Sequence, residues 1–162
     1  MMPNDSNNSS TDNIIQDPRA RVALAILCQD GKFLMQLRDD YPHILYPGHW
    51  GFFGGHLEPG ETPEQGVKRE LVEEIGYCPP TLIPYHLQAD SQVIRHVYYG
   101  NLEVDLSKLV LTEGMDLDLL TPEDIQRGDR YSTRIGQVRP LGAPHRQILL
   151  EFIERFGSKL KK

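Results

Sequence analysis

The spacing of apolar positions changes several times along the chain, and each change marks a new element. Residues 21–27 (RVALAIL) form a short, nearly unbroken apolar run, the pattern of a strand covered on both faces. Gln29-Asp30-Gly31 supplies turn chemistry, and residues 32–37 read as the second arm of a hairpin. Residues 38–47 are polar and carry Pro42 and Pro47 beside Tyr41 and Tyr46, which predicts a semi-rigid flap. Residues 50–53 (WGFF) are a brief strand running into Gly54-Gly55. Residues 81–87 and 92–103 read as further strands, the second alternating Val93, Arg95, Val97 and Tyr99 against Ile94, His96 and Tyr98. Residues 121–125 open like a capped helical turn, and residues 144–156 are a final helix with Ile148, Leu149, Phe152 and Ile153 on its apolar side. Strands bracketing helices in this order predict an α/β fold in which a mixed sheet is sandwiched between helices.

Between these strands lies a helix of unusual character. Thr62 can cap it, Pro63 fits its first position, Gln65 completes a capping box and Gly76 can end it in the left-handed conformation. At about 100° per residue, with Glu70 as zero, Glu74 falls near +40° and Glu73 near −60°. Val67, Leu71 and Ile75 fall near +60°, +100° and +140°, so the helix is divided into an acidic face and an apolar face. Like charges at these spacings oppose the helix by roughly 0.2–0.5 kcal/mol per pair. A bound cation offsets that cost. An all-carboxylate set without His or Cys partners selects magnesium or manganese over zinc. A plain solvated acidic face leaves the strand-like WGFF and the double glycine ahead of the helix without a reason.

The segment GHLEPGETPEQGVKRELVEEIGY resembles the Nudix box. It has Gly55, five residues, Glu61, seven residues, Arg69-Glu70, Leu71, one residue, Glu73-Glu74, one residue and Gly76. Tyr77 stands where that family usually carries a bulky aliphatic residue, and it is large and apolar enough to fill the same packing role. The order of elements over residues 21–156 is similar to the Nudix α/β/α sandwich. The resemblance implies hydrolysis of a phosphoanhydride in a nucleoside diphosphate linked to another moiety, with nucleotide sugars and modified nucleoside triphosphates as leading substrates. It implies divalent ions, Mg²⁺ with Mn²⁺ as substitute, held by Glu70, Glu73, Glu74 and the backbone carbonyl of Gly54. By the same resemblance Glu70 is the favoured general base, Arg69 orients it, Glu61 supports the cluster from the loop, and Glu113 is a candidate further carboxylate. Bottom-up, any of these glutamates suits a base, since a carboxylate among carboxylates holds its proton more tightly. Arg38, at the end of the second strand, is a candidate fork-shaped donor to a substrate phosphate. Phe53, with Trp50 and Phe52, is a candidate surface for stacking a base.

Composition narrows the picture further. The chain has 162 residues, enough for one domain with its own core, and a net charge of −6. That balance argues against nonspecific nucleic-acid binding and leaves a small-molecule nucleotide open, because a metal-loaded cluster reverses the local sign. Cys28 and Cys78 form no C-x-x-C pair, and Cys28 sits inside an apolar run, which favours a reducing, cytoplasmic compartment. Residues 1–17 lack a basic start and an apolar core segment and read as a disordered tail. Residues 18–158 read as the domain and 159–162 as a solvated basic end. No stretch reaches the roughly twenty apolar residues of a membrane span. Assembly as a homodimer is left open.

Two rival functions are distinguished by sequence features. An isopentenyl diphosphate isomerase shares the Nudix fold but needs a catalytic Cys in a Cys-rich strand motif, a context Cys28 lacks. A catalytically inactive Nudix-like nucleotide-binding or sensor module usually shows an eroded box, and this box is intact.

Overall fold

The computed structural model describes residues 17–157. The expectations for the N-terminal tail, Asp17 apart, and for the basic C-terminal end lie outside this span. Among the described residues there are nine strands and three α-helices. In chain order they are β1 (Ala20–Gln29), β2 (Lys32–Leu37), β3 (Trp50–Gly51), β4 (Phe53–His56), α1 (Pro63–Ile75), β5 (Ile83–Ala89), β6 (Val93–Asn101), β7 (Asp116–Leu120), α2 (Pro122–Arg127), β8 (Asp129–Ser132), β9 (Gln137–Pro140) and α3 (Ala143–Phe156). The mixed sheet between helices predicted from the sequence is thus present.

The apolar run of β1 forms the centre of the sheet, where Ala23 to Leu27 are all buried. Its one parallel neighbour is β6, and the main path runs β3-β2-β1-β6-β5. Side chains alternate between two cores. Leu24, Ile26, Phe33, Met35, Leu37, Phe52 and Val97 meet Ile148, Leu149 and Phe152 of α3. Ala23, Ala25, Leu27, Leu34 and Phe53 meet Val67, Leu71 and Ile75 of α1. Fully burying a side chain of this kind contributes roughly 1.5–3 kcal/mol, so these two layers fix both helices against the sheet. The apolar stripe expected on α1 is therefore the face that packs, and its acidic side is left for chemistry.

The feature that opens a site is a split in the sheet. β1 and β2 pair only next to their turn, at Cys28↔Phe33 and Gln29↔Lys32. Beyond that point the residues expected to form one strand at 50–53 are wedged between them as two. β3 pairs with β2 at Gln36↔Gly51 and Leu37↔Trp50, while β4 pairs with β1 from Ala25↔Phe53 to Val22↔His56. The chain changes partner at Phe52, and β1 and β2 diverge around it. On the far side of β2 lies β7, which the sequence reading did not assign, because Asp116 and Asp118 interrupt the apolar alternation of DLDLL. The β8–β9 hairpin was also unassigned; its partly exposed, Arg-rich strands carry no apolar face for a pattern to find.

Candidate active site

Local rules place α1. Thr62 Oγ1 accepts from Gln65 N at 3.2 Å and Gln65 Oε1 accepts from Thr62 N at 3.0 Å, closing the predicted capping box. Gly76 ends the helix at φ 66°. The acidic face so presented is not uniform. The Glu73 side chain is 57% exposed and that of Glu70 17%. Glu74 faces inward between the helix and the wedge of β3 and β4.

Arg69 is the organising cation. Its Nε and Nη2 donate to the two carboxylate oxygens of Glu61 at 2.7 and 2.9 Å, a two-point grip from helix to loop. Its Nη1 donates to Glu70 at 3.0 Å and to Glu73 at 3.2 Å, and Nη2 also donates to the carbonyl of His56 at 3.1 Å. The side-chain hydrogen bonds from Arg69, with a backbone bond inside the loop, hold the Glu61 carboxyl down at about 2. The expectation that Arg69 orients Glu70 while Glu61 supports from the loop thus has its contacts. Gly55 faces Glu70 directly: a Cβ there would lie 2.7 Å from the Glu70 carboxyl carbon. Only glycine lets strand β4 and that carboxylate lie so close.

Glu74 has a different environment. Its Oε1 accepts from the backbone N–H of Gly54 at 2.9 Å, and its Oε2 accepts from Gln36 Nε2 at 3.2 Å. Burial pushes its carboxyl up to about 8, against the lowering effect of the Gly54 bond, and the Glu70 charge adds to the rise. The structure gives the N–H of Gly54, rather than the predicted carbonyl, as that residue's contact with the cluster. Gly54 itself adopts φ 139°, and a Cβ would lie 2.0 Å from the Ala23 carbonyl oxygen, so the close approach to β1 demands glycine. Gln36, which sequence reasoning missed, also donates to the Phe52 carbonyl at 3.3 Å and so ties the wedge to Glu74. No local pattern marks it, since its partner lies 38 positions away.

Among the described residues no three acidic, His or Cys side chains are already gathered around one point. Arg69 draws Glu61, Glu70 and Glu73 to itself while Glu74 turns to Gly54. The donor set nevertheless fits a hard divalent cation: the oxygens are all carboxylate, and the Glu74 carboxyl makes no salt bridge among the described residues. Residues 111–114 pass across the C-terminal end of α1. Thr112 N donates to the Glu74 carbonyl at 3.1 Å, and Gly114 N donates to Asp39 Oδ2 at 3.1 Å. This brings exposed Glu113 to the same end of the helix, with no side-chain bond of its own among the described residues.

Arg38 stands at the end of β2, half-buried, with its Nε enclosed and without a partner among the described residues. Burial works against its charge, while the carboxylates of Glu74 and Asp39 support it. Phe53 is a correction. It is 1% exposed and packs with Val67, Leu71 and Ile75, so it is core and offers no surface to a base. Trp50 and Phe52 are equally buried in the opposite layer. His145, read from the sequence only as a neighbour of Arg146, proves to face the wedge: its Nδ1 accepts from Phe52 N at 2.9 Å. Arg146 donates to the carbonyls of Ile125 and Gln126 and ties α3 to α2.

Comparison with known proteins gives a consistent picture. The chain matches the NUDIX domain over residues 17–138. It is 40% identical over 60 residues to the nucleoside triphosphatase NudI of Escherichia coli O1:K1 / APEC, covering 36% of this chain and 41% of that protein. The chain thus spans about two-fifths of the length of this curated relative. Its fold is similar to that of the MutT protein from Methanosarcina mazei Go1, with a TM-score of 0.62 and 25% identity over 91% of this chain and 99% of that one. The NUDIX domain of Shewanella oneidensis NrtR, solved in complex with ADP ribose, superposes with a TM-score of 0.65 at 19% identity, covering 93% and 99% of the two chains. That likeness concerns the fold.

Proposed function

The chain belongs to the Nudix family, and we propose that it is a metal-dependent pyrophosphohydrolase acting on a nucleoside diphosphate linked to another moiety. The observation that carries this reading is the Arg69-centred carboxylate loop and helix beside the desolvated Glu74. The similarity to nucleoside triphosphatases favours a nucleoside triphosphate within that class, with a nucleotide sugar as the other candidate.

A phosphoanhydride resists attack because its oxygens repel an incoming hydroxide. A catalyst must therefore neutralise charge and supply a nucleophile. Glu70, Glu73, Glu74 and the Gly54 backbone would hold Mg²⁺, or Mn²⁺ in its place, with Glu113 close enough in the fold to join them. When bound, the divalent ion supplies charge neutralisation of the phosphates and an acidified water. Glu70 is the favoured base. Arg69 bonds its Oε1, whereas both oxygens of Glu74 already accept hydrogen bonds from Gly54 and Gln36. Arg69 fixes the position of Glu70, and Glu61 fixes Arg69. Arg38, whose charge acts on Glu74, would receive a phosphate oxygen.

We read the domain as residues 18–158, extending past the family match because α3 closes one of the two cores. Cys28 and Cys78 are free thiols, and burial pushes Cys28 up to about 12, which fits a reducing, cytoplasmic setting. No helix among the described residues is long and apolar enough to cross a membrane. The deciding experiment is a screen of nucleoside triphosphates and nucleotide sugars for release of phosphate, pyrophosphate or nucleoside monophosphate, with magnesium and with excess chelator. Metal-dependent release that Glu70→Gln lowers by at least about 10²-fold supports the reading. Turnover that persists after exhaustive chelation overturns it.

A further inference from the structure

His145 is fixed in an orientation that its structural contacts leave half used. The N–H of Phe52 donates to its Nδ1 at 2.9 Å, so that nitrogen carries no proton. The ring lies nearly parallel to the Phe52 ring, 18° between planes and 5.0 Å between centroids. Gly51 leaves room for it, since a Cβ there would fall 3.0 Å from Nδ1. Burial, reinforced by the positive charges of Arg95 and Arg38, disfavours the imidazolium. A neutral ring with an unprotonated Nδ1 carries its hydrogen on Nε2, as a donor. Among the described residues that N–H meets no acceptor.

A second donor lies nearby, because Arg38 N donates to the His49 carbonyl at 3.0 Å, two residues before the Gly51 that faces His145. Arg38 Nε is enclosed and unpartnered among the described residues, and the Arg38 charge reaches both His145 on one side and Glu74 on the other. These residues gather where the chain passes from β2 to β1 at Phe52. An enclosed donor without an acceptor, such as Arg38 Nε, is costly and calls for a partner. One guanidinium and a neutral N–H donor select an anionic oxygen.

We propose that the Nε2–H of His145 and the guanidinium of Arg38 together receive a phosphate oxygen of the nucleotide substrate, making His145 a substrate-binding residue. The inference rests on the nucleotide-hydrolase reading for the identity of the ligand. Its geometry, two unfilled donors beside the carboxylate cluster, is independent of turnover.

The test uses His145→Asn in the full chain. The Asn carbonyl can still accept from Phe52 N–H, so the wedge is held, but nothing reaches the Nε2 position. Binding is measured with magnesium and the α,β-methylene analogues of the four common deoxynucleoside triphosphates, and with the corresponding nucleosides. The expected result is about a tenfold or greater loss of affinity for the analogue that the parent binds best, the scale of one hydrogen bond to a charged group. Melting temperature and nucleoside affinity should stay unchanged. On the hydrolysed substrate KM should rise by a similar factor with kcat within about threefold, and His145→Gln, whose longer amide reaches toward Nε2, should recover part of the loss. Equal analogue affinity in parent and Asn variant overturns the assignment, as does an equal loss for nucleoside, which would move the contact to the base. Failure of the parent to bind any analogue also counts against it. His145-dependent analogue binding by a parent that hydrolyses nothing would support the assignment while refuting the hydrolase reading.

Discussion

Replacing Glu74 by Gln should raise the stability of the metal-free protein at alkaline pH and lower it slightly at acid pH. In the folded chain burial lifts the Glu74 carboxyl from 4.5 to about 8. The folded state therefore holds a proton that the unfolded state has released between these values. Stability is highest below the unfolded value, falls as pH rises through this window and levels off above the folded value. At 1.36 kcal/mol per unit the full rise corresponds to at most about 5 kcal/mol, which relaxation and water entry reduce to about 1–3 kcal/mol. Gln removes that charge. It retains an oxygen for the Gly54 N–H, but its amide nitrogen meets the Gln36 donor, a loss of about 1 kcal/mol. Near pH 4, where Glu74 is protonated in the folded parent and largely so in the unfolded chain, only this loss remains and the variant melts a few degrees lower. Near pH 9 the net gain of up to about 2 kcal/mol should make the variant melt up to about 8 °C higher, at about 2–4 °C per kcal/mol for a chain of this size. Saturating magnesium at pH 9 should restore the parent's advantage, because the variant has lost an anionic ligand. Melting curves of both proteins at the two pH values, with and without magnesium, decide the matter. A parent-to-variant difference that is the same at pH 4 and pH 9 would refute the desolvated carboxylate.

Arg69→Lys should lower turnover at least about tenfold, since an ammonium cannot grip both oxygens of Glu61 while also reaching Glu70 and Glu73; steady-state rates near those of the parent would argue against the positioning role. Gly55→Ala should abolish most activity with only a modest change in melting temperature, because the added methyl meets the Glu70 carboxyl. Paired kinetic and melting measurements check this, and unchanged turnover would show that Glu70 has another productive position. Deleting residues 1–16, which leaves the Asp17 to Arg19 ion pair in place, should shift melting temperature and turnover little; a loss of several degrees would mean that Ile14 and Ile15 contribute to the core.

Much of α1 was decided by its own sequence. The capping box, Pro63 and Gly76 are local signals, and the 3.6-residue period separates packing face from acidic face without reference to anything distant. The apolar run of β1 and its turn into β2 are local in the same sense, as is the capped start of α2 at Thr121. The motif spacing from Gly55 to Gly76 marks Glu61, Arg69, Glu70, Glu73 and Glu74; the fold joins Glu61, Glu70 and Glu73 through Arg69 and turns Glu74 to the Gly54 N–H.

What only the tertiary structure decided depends on pairings across long stretches of chain. The split of residues 50–56 into β3 and β4 follows from their pairing with different strands, and no period within seven residues encodes a change of partner. The aromatic residues of that segment lie in the core because two helices cover the sheet, which removed Phe53 from the substrate site. Glu70 and Glu74 look alike in the sequence, four residues apart on one face. Arg69 holds the first, whereas the Gly54 N–H and Gln36 hold the second inside the wedge, where burial raises its proton affinity. His145 reaches the N–H of Phe52 across 93 positions. A hydrogen bond of that span leaves no trace in local composition, because the side chain's role is set by the backbone group the fold carries to it.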